Sequence, residues 1–190
     1  MTVPLARDEH PRQSGAVLLD SIRALREIAG DAAVRAGLDA LDADTRVSFS
    51  GATTLTWVPA PEFERFFTAA ASSVGRNRDG LQDEVSRRAV ERTLNTLWRV
   101  ILRVTTDNAL VSRTPLLYSK TYDDGEMQSR IYAPGRAEIL LVGWPAVSEF
   151  HMRGIARGIE TVLRCSGRKA ARVSWARRAT GAAYQATWDL

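Results

Sequence analysis

Apolar residues in the first 120 positions recur at intervals of three and four, which is typical of α-helices that pack by one face. Leu18, Ile22 and Leu25 mark the first such stripe, and Gly30 closes it. Asp31 then stands where it can cap a second, shorter helix. The pattern therefore predicts two consecutive helices over residues 15–42.

Residues 45–59 read TRVSFSGATTLTWVP, and their β-branched, partly alternating character predicts an extended segment. Pro61 follows in a position that suits the first turn of a third helix. That helix is expected to bury Phe63, Phe66 and Phe67.

The longest predicted helix spans residues 80–104, and a further helical segment is predicted over residues 108–122. Because the long helix is apolar on nearly all sides near its end, its C-terminal half is expected to lie at the centre of the core, with Trp98 buried. Its apolar stripe consists of Val90, Leu94, Leu97, Ile101 and Val104.

The period of the pattern changes from 3.6 to 2 after Gly125, which predicts β-strands. Pro134-Gly135 is a turn signal between the first two strands. The predicted order is strand, strand, helix, strand, strand, over residues 126–133, 136–144, 147–167, 171–178 and 182–190. Helices followed by two hairpins predict an α+β fold, with the helices packed on one face of an antiparallel sheet of about four strands.

A chain of 190 residues is long enough for one domain, which we place at residues 13–190 after a flexible tail at 1–12. No apolar run approaches the roughly 20 residues that a membrane span needs. The N-terminus lacks the apolar core of a signal peptide. Cys165 is the single cysteine, so an internal disulfide is excluded and a cytoplasmic location is expected.

The net charge of +4 is carried almost entirely by arginine. Four of these arginines follow the polar side of the long predicted helix: Arg88, Arg92, Arg99 and Arg103. They could form a solvated helix face, or they could bind an acidic protein, a lipid headgroup or a nucleic acid. No recognised nucleic-acid-binding motif is present, so nucleic acid is the least supported of these partners.

The YDDG segment raises the question of a metal or catalytic site at Asp123 and Asp124. Adjacent side chains diverge on regular structure, and a hard metal needs about six oxygen ligands, for which only Glu126 stands nearby. Asp and Gly together are also ordinary turn residues. A turn is therefore the preferred interpretation, with a metal site and catalysis as alternatives.

His151 falls on the same helical face as Ile155 and Ile159, so it is either a core residue or a donor that lines a pocket or ligates a cofactor. A nucleophile elbow of the Gly-x-Ser-x-Gly type is absent, and so is a glycine-rich phosphate loop. No catalytic residue, metal site or cofactor is predicted, and an enzyme is the least favoured function.

Several segments of the sequence resemble a family of small myxobacterial proteins of unknown function, over roughly residues 40–190. They are LTWVPAPEFERFF, RRAVERTLNTLWRVILRV, LLYSKTYDDGEM, APGRAEILLVGWPAVSEF and the closing ATW. That family is similar to 4-vinyl-reductase-type and heme-NO-binding-associated sensor domains, and more distantly to TRAPP trafficking subunits. The resemblance implies a sensor or scaffold fold, often a homodimer, with a hydrophobic pocket between helices and sheet.

Members of the sensor group often hold zinc with cysteines near the last hairpin. In this chain the corresponding stretch, SWARRATGAAYQATW, contains neither cysteine nor histidine, and Ala182 stands where a cysteine is expected. Zinc is therefore expected to be absent.

These observations favour a non-enzymatic sensor or scaffold that binds a small apolar ligand, itself, or another protein. Tyr118, Tyr122, Trp144 and His151 are the candidate ligand-binding residues, as aromatic walls with one hydrogen-bond donor. The alternative is a purely structural dimeric adaptor that has no ligand cavity.

Overall fold

The computed structural model describes residues 11–94 and 96–190, without the side chains of residues 96–99. The helices are α1 (Gly15–Asp39), α2 (Ala43–Ser50), α3 (Ala60–Ser73), α4 (Arg78–Thr93), α5 (Thr96–Val104), α6 (Asp107–Val111), α7 (Thr114–Ser119) and α8 (Glu149–Cys165). The strands are β1 (Arg12–Ser14), β2 (Trp57–Pro59), β3 (Glu126–Ala133), β4 (Arg136–Val142), β5 (Lys169–Arg178) and β6 (Gly181–Asp189). Residues 1–10 of the predicted tail, and the side chain of Trp98, lie outside this description.

The predicted α+β class is confirmed by an antiparallel sheet with strand order β3-β4-β6-β5. The two hairpins lie side by side through β4 and β6, where Ile139 pairs with Tyr184. Gly135 turns the first hairpin with a φ of 67°, a conformation that favours glycine. Strands β1 and β2 form a separate two-stranded sheet.

Helix α1 contains the break that the sequence predicts. Gly30 has φ 83° and ψ 172°, so the backbone leaves the helical region there and two helices meet at a kink. The prediction of two consecutive helices that meet at this glycine is therefore confirmed.

The prediction of an extended segment at 45–59 is wrong for the first half of that segment, which belongs to helix α2. The Asp42 side chain accepts a hydrogen bond from the Thr45 backbone N–H at 2.9 Å and caps this helix. Phe49 is buried and packs against Phe66. The cap and this tertiary contact together outweigh the β propensity of the local residues.

The predicted long helix at 80–104 is interrupted, and its C-terminal half does not lie at the centre of the core. Leu94 leaves the helical region with φ −83° and ψ 75°, and α5 begins two residues later. Val85 packs into the core among the N-terminal helices, whereas Leu94 packs against a second core that includes the inner face of the sheet. One straight helix cannot reach both, and Val104 of α5 is 81% exposed.

The helical segment predicted at 108–122 consists of two short helices, α6 and α7. Pro115 lies in the first turn of α7. Proline has no backbone N–H to continue a preceding helix but fits the start of a new one, which explains the division.

The interior of the protein has two parts. The first, which we name the phenylalanine core, is centred on five buried rings that pack together. They are Phe49, Phe63, Phe66, Phe67 and Phe150. The second, the sheet core, lies between the inner face of the sheet and helices α6, α7 and α8. Helix α8 contributes to both cores, because Phe150 belongs to the first and Met152 to the second.

None of the helices in the described ranges combines the length and the apolar character that a membrane crossing requires.

Candidate functional site

The structure brings the four predicted ligand-binding residues together, and we name Tyr118, Tyr122, Trp144 and His151 the aromatic cluster. The ring centroids of Tyr118 and Tyr122 are 5.4 Å apart, and those of Tyr122 and Trp144 are 5.2 Å apart. His151 lies 5.4 Å from Trp144 and 5.8 Å, edge on, from Tyr122. All four side chains are buried, so they form a packed group inside the protein.

The rings come from separate parts of the chain, and local hydrogen bonds fix the positions of two of these residues. Tyr118 lies in α7, and its hydroxyl donates to the Asp124 carbonyl at 2.7 Å. His151 lies in the first turn of α8, where its backbone N–H donates to the capping Ser148 hydroxyl at 3.4 Å. Trp144 follows strand β4. The cluster therefore joins α7, the end of β4 and the start of α8.

Both ring nitrogens of His151 have partners. Nε2 donates to the Ala60 carbonyl at 3.0 Å, and Nδ1 accepts from the Tyr122 hydroxyl at 3.4 Å. Burial lowers the pKa of His151 from 6.5 to about 4, although the bond to the Ala60 carbonyl acts in the opposite direction. The imidazole is therefore neutral at pH 7 and links the cluster to the start of α3.

Tyr184 is a further member of this region that sequence reasoning missed. It lies on the inner face of β6, it is fully buried, and its hydroxyl has no hydrogen-bond partner in the part of the chain that the structure describes. Burial raises its pKa, and the neighbouring Tyr122 raises it further. The alternation of β6 places residue 184 on the same face as Ala182 and Ala186, and this period-2 signal could have identified it.

The YDDG segment is a structural joint. Asp123 accepts hydrogen bonds from the Arg12 backbone N–H at 2.8 Å and from Arg12 Nε at 2.6 Å. Gly125 has a φ of 68°, as a tight turn into β3 requires. Across the described residues, no group of three or more histidine, cysteine, aspartate or glutamate side chains could hold a metal ion. The geometry agrees with the preferred interpretation as a turn.

The predicted arginine surface is partly engaged within the protein. Arg88 and Arg92 of α4 both bind the Glu27 carboxylate of α1, with Arg88 Nε at 3.2 Å. These two hydrogen bonds lower the pKa of Glu27. Arg103 is exposed at the end of α5, whereas the side chain of Arg99 lies outside the described residues. The four arginines therefore do not form one continuous free stripe.

We compared the sequence and the structure of this chain with known proteins. No protein family and no curated protein matches the sequence. Solved structures do match. One is a protein in which protein-induced porphyrin distortion modulates heme redox potential, with a TM-score of 0.65, 14% identity, and coverage of 92% of this chain and 99% of that chain.

Two further matches are H-NOX proteins. The Fe(II) unliganded H-NOX protein from K. algicida has a TM-score of 0.67 and 9% identity, over 93% of this chain and 97% of that chain. An oxygen-binding H-NOX domain related to soluble guanylate cyclases has a TM-score of 0.63 and 14% identity, over 93% and 95%. The predicted α+β fold thus has close counterparts among solved structures, while the likeness to myxobacterial proteins and TRAPP subunits stays a prediction. The chain has the fold of H-NOX domains.

Proposed function

We propose that this protein is a non-enzymatic sensor module that binds a small, mostly apolar ligand beside the aromatic cluster. The observation that carries the proposal is the buried hydroxyl of Tyr184, which has no partner among the described residues. A buried polar group without a hydrogen bond costs about 1–3 kcal/mol, so a ligand with one suitable acceptor would gain that bond on entry. The surrounding rings would supply the apolar walls that small-molecule sites commonly have.

The ionisable groups of the cluster support binding over acid–base catalysis. A general acid or base works best when its pKa lies near the working pH. Burial lowers the pKa of His151 to about 4 and raises the pKa of Tyr122 above its ordinary value, which already lies well above neutrality. Both groups therefore keep one protonation state around pH 7, which suits a fixed hydrogen-bonding surface.

The heme named for two structural relatives finds no suitable axial ligand among the histidine and the tyrosines of this region. Heme iron needs an axial histidine, cysteine, methionine or tyrosine, and a tyrosine ligand must lose its proton. Both nitrogens of His151 are engaged, and the hydroxyls of Tyr118 and Tyr122 are already bonded. Tyr184 has a raised pKa, which opposes the loss of its proton. We therefore propose a ligand that these side chains hold by apolar contact and a hydrogen bond, without a bond to a metal.

The experiment is mass spectrometry of small molecules retained by the purified protein, compared between the wild type and Tyr184→Phe. We expect the wild type to retain a ligand, and Tyr184→Phe to fold normally but lose that ligand. Tyr132→Phe is the matched control, because Tyr132 is exposed on β3 and does not belong to the buried cluster. Equal retention by Tyr184→Phe and the wild type, or no retained molecule in either, would contradict the proposal.

A purely structural adaptor that dimerises is the second candidate, and exposed apolar side chains favour it. Val100 and Val104 of α5 are 55% and 81% exposed, and Leu116 and Leu117 of α7 are 60% and 51% exposed. Where exposed apolar side chains adjoin one another, they often mark protein interfaces. The solution mass of the wild type and of Leu117→Asp tests this candidate: a dimer that becomes a monomer supports it, and a wild-type monomer contradicts it. We place either function in the cytoplasm, without a nucleic-acid partner.

A further inference from the structure

A row of three polar side chains crosses the outer face of the sheet. Arg136 on β4 and Arg172 on β5 both pair with Thr187 on the intervening strand β6. Residues that pair directly across neighbouring strands project to the same side of the sheet, and neighbouring strands lie about 4.8 Å apart. The two arginines therefore flank the threonine side chain, each from one strand away.

Neither arginine is neutralised by a described neighbour. Within residues 11–94 and 96–190, the structure shows no hydrogen bond or ion pair from the guanidinium of Arg136 or Arg172. The nearest acid on β4, Glu138, already accepts hydrogen bonds from Arg130 and from Gln185. The row thus has two positive charges whose hydrogen-bond donors are available.

Asp189 is the other acid on this part of the sheet, two residues beyond Thr187 on β6. Asp189 pairs directly with Lys169 on β5, so the positive charge of Lys169 lies opposite its carboxylate. It makes no ion pair with Arg136 or Arg172 in the structure. Asp189 therefore leaves the positive character of the row in place.

A surface depression of about 390 Å³ lies beside this row, at the edge where α8 meets β5. Its lining consists of Arg157, Glu160, Arg172, Val173, Ser174, Gln185 and Thr187. Glu160 is the acid in this lining, and its carboxylate accepts from Arg157, Arg164 and the Val173 backbone N–H. The depression thus offers hydroxyl, amide and guanidinium donors, and its single carboxylate is already satisfied.

We propose that this outer sheet face binds a phosphate monoester, with Arg136, Arg172 and Thr187 as its direct contacts. A carboxylate has two coplanar oxygens that one arginine can satisfy, whereas a tetrahedral phosphate dianion accepts hydrogen bonds from several directions. Two arginines with a hydroxyl between them match the phosphate. Thr187 and Tyr184 differ by an odd number of positions on β6 and point to opposite faces, so this site is separate from the aromatic cluster.

The test is a titration of the amide NMR spectrum with inorganic phosphate, with sodium chloride added to hold the ionic strength constant. We expect saturable shifts at Arg172, Ser174 and Thr187. The double variant Arg136→Ala/Arg172→Ala should weaken binding at least about tenfold, because hydrogen bonds between charged groups are lost. The matched control is Arg178→Ala on the same strand and the same face, and it should bind like the wild type.

Shifts that do not saturate, or an equal loss in Arg178→Ala and in the double variant, would mean that only general charge attraction is present and would overturn the proposal. The variants lie at the surface, and their own spectra report whether they fold. A second titration uses glycerol 3-phosphate in solution, and sedimentation with vesicles of phosphatidic acid or of phosphatidylcholine alone provides the membrane measurement. Binding in solution identifies a soluble ester, and binding that needs phosphatidic acid vesicles identifies a lipid headgroup.

Discussion

The phenylalanine core and the aromatic cluster are both groups of packed rings, but only the rings of the second carry polar atoms. The two meet at consecutive residues of α8. Phe150 packs against Phe63 and Phe67 at centroid distances of 5.8 and 5.6 Å. His151, the next residue, packs edge on against Phe150 and also contacts Tyr122 and Trp144.

This difference separates packing from specific recognition. A phenyl ring needs only apolar neighbours and a well-filled volume, so the phenylalanine core is satisfied by shape alone. A buried hydroxyl or imidazole also needs a hydrogen-bond partner. In the aromatic cluster His151 has two such partners, whereas the adjoining Tyr184 hydroxyl has none among the described residues. A bound ligand could therefore gain a hydrogen bond beside the aromatic cluster, at Tyr184.

The largest expected effect belongs to the phenylalanine core. Phe66 is fully buried, and its ring lies so close to Gly37 that a Cβ there would approach within 2.6 Å. Phe66→Ala should lower the free energy of unfolding by about 3–5 kcal/mol, through lost burial and a new cavity. Chemical denaturation measures this, with exposed Leu55→Ala as the control. A loss no greater than that of the control would mean that this core is not tightly packed.

His151 should make the stability of the protein depend on pH. The phenylalanine core cannot do so, because phenyl rings do not titrate. Its pKa is lowered from 6.5 in the unfolded chain to about 4 in the folded protein, so between these values the unfolded state binds more protons. The contribution of neutral His151 to the free energy of unfolding is fully present above pH 6.5. It is lost as the pH falls towards 4, and the total loss is about 3 kcal/mol.

Denaturation of the wild type and of His151→Leu at a series of pH values measures this contribution. The difference between the two stabilities should change with pH over that window, because other titrating groups are common to both proteins. Parallel curves would show that His151 is not buried as a neutral imidazole.

Two tyrosine variants, Tyr122→Phe and Tyr184→Phe, compare a buried hydroxyl that has a hydrogen-bond partner with one that has none among the described residues. Tyr122→Phe removes the hydroxyl that donates to His151 Nδ1, and it should lower the free energy of unfolding by about 1 kcal/mol. The measurement is urea denaturation at pH 7.

The smallest effect on folding is expected for the second member of the pair, Tyr184→Phe. In ligand-free protein its hydroxyl has no partner among the described residues, so its removal should leave stability unchanged or raise it by up to about 1 kcal/mol. A loss equal to that of Tyr122→Phe would show that the hydroxyl is already bonded, and the proposed ligand contact would then be withdrawn.

Local signals were sufficient where one residue type fixes the backbone. The kink at Gly30, the turn at Gly135 and the change to period 2 after Gly125 follow from conformations that glycine favours and from alternation along the chain. Local signals failed at α2, where Phe49 reaches the phenylalanine core, and at Leu94, where the chain leaves one core for the other. At both places a distant contact decides the conformation.

The sequence by itself determined the α+β class and the succession of strands and helix along the C-terminal half, because periodicity and turn residues act over a few positions. Only the tertiary structure decided that His151 is held from both sides, that Tyr184 lacks a described partner, and that Arg136 and Arg172 flank Thr187. Hydrogen-bond satisfaction and charge pairing depend on residues brought together from distant parts of the chain. No local pattern records those contacts.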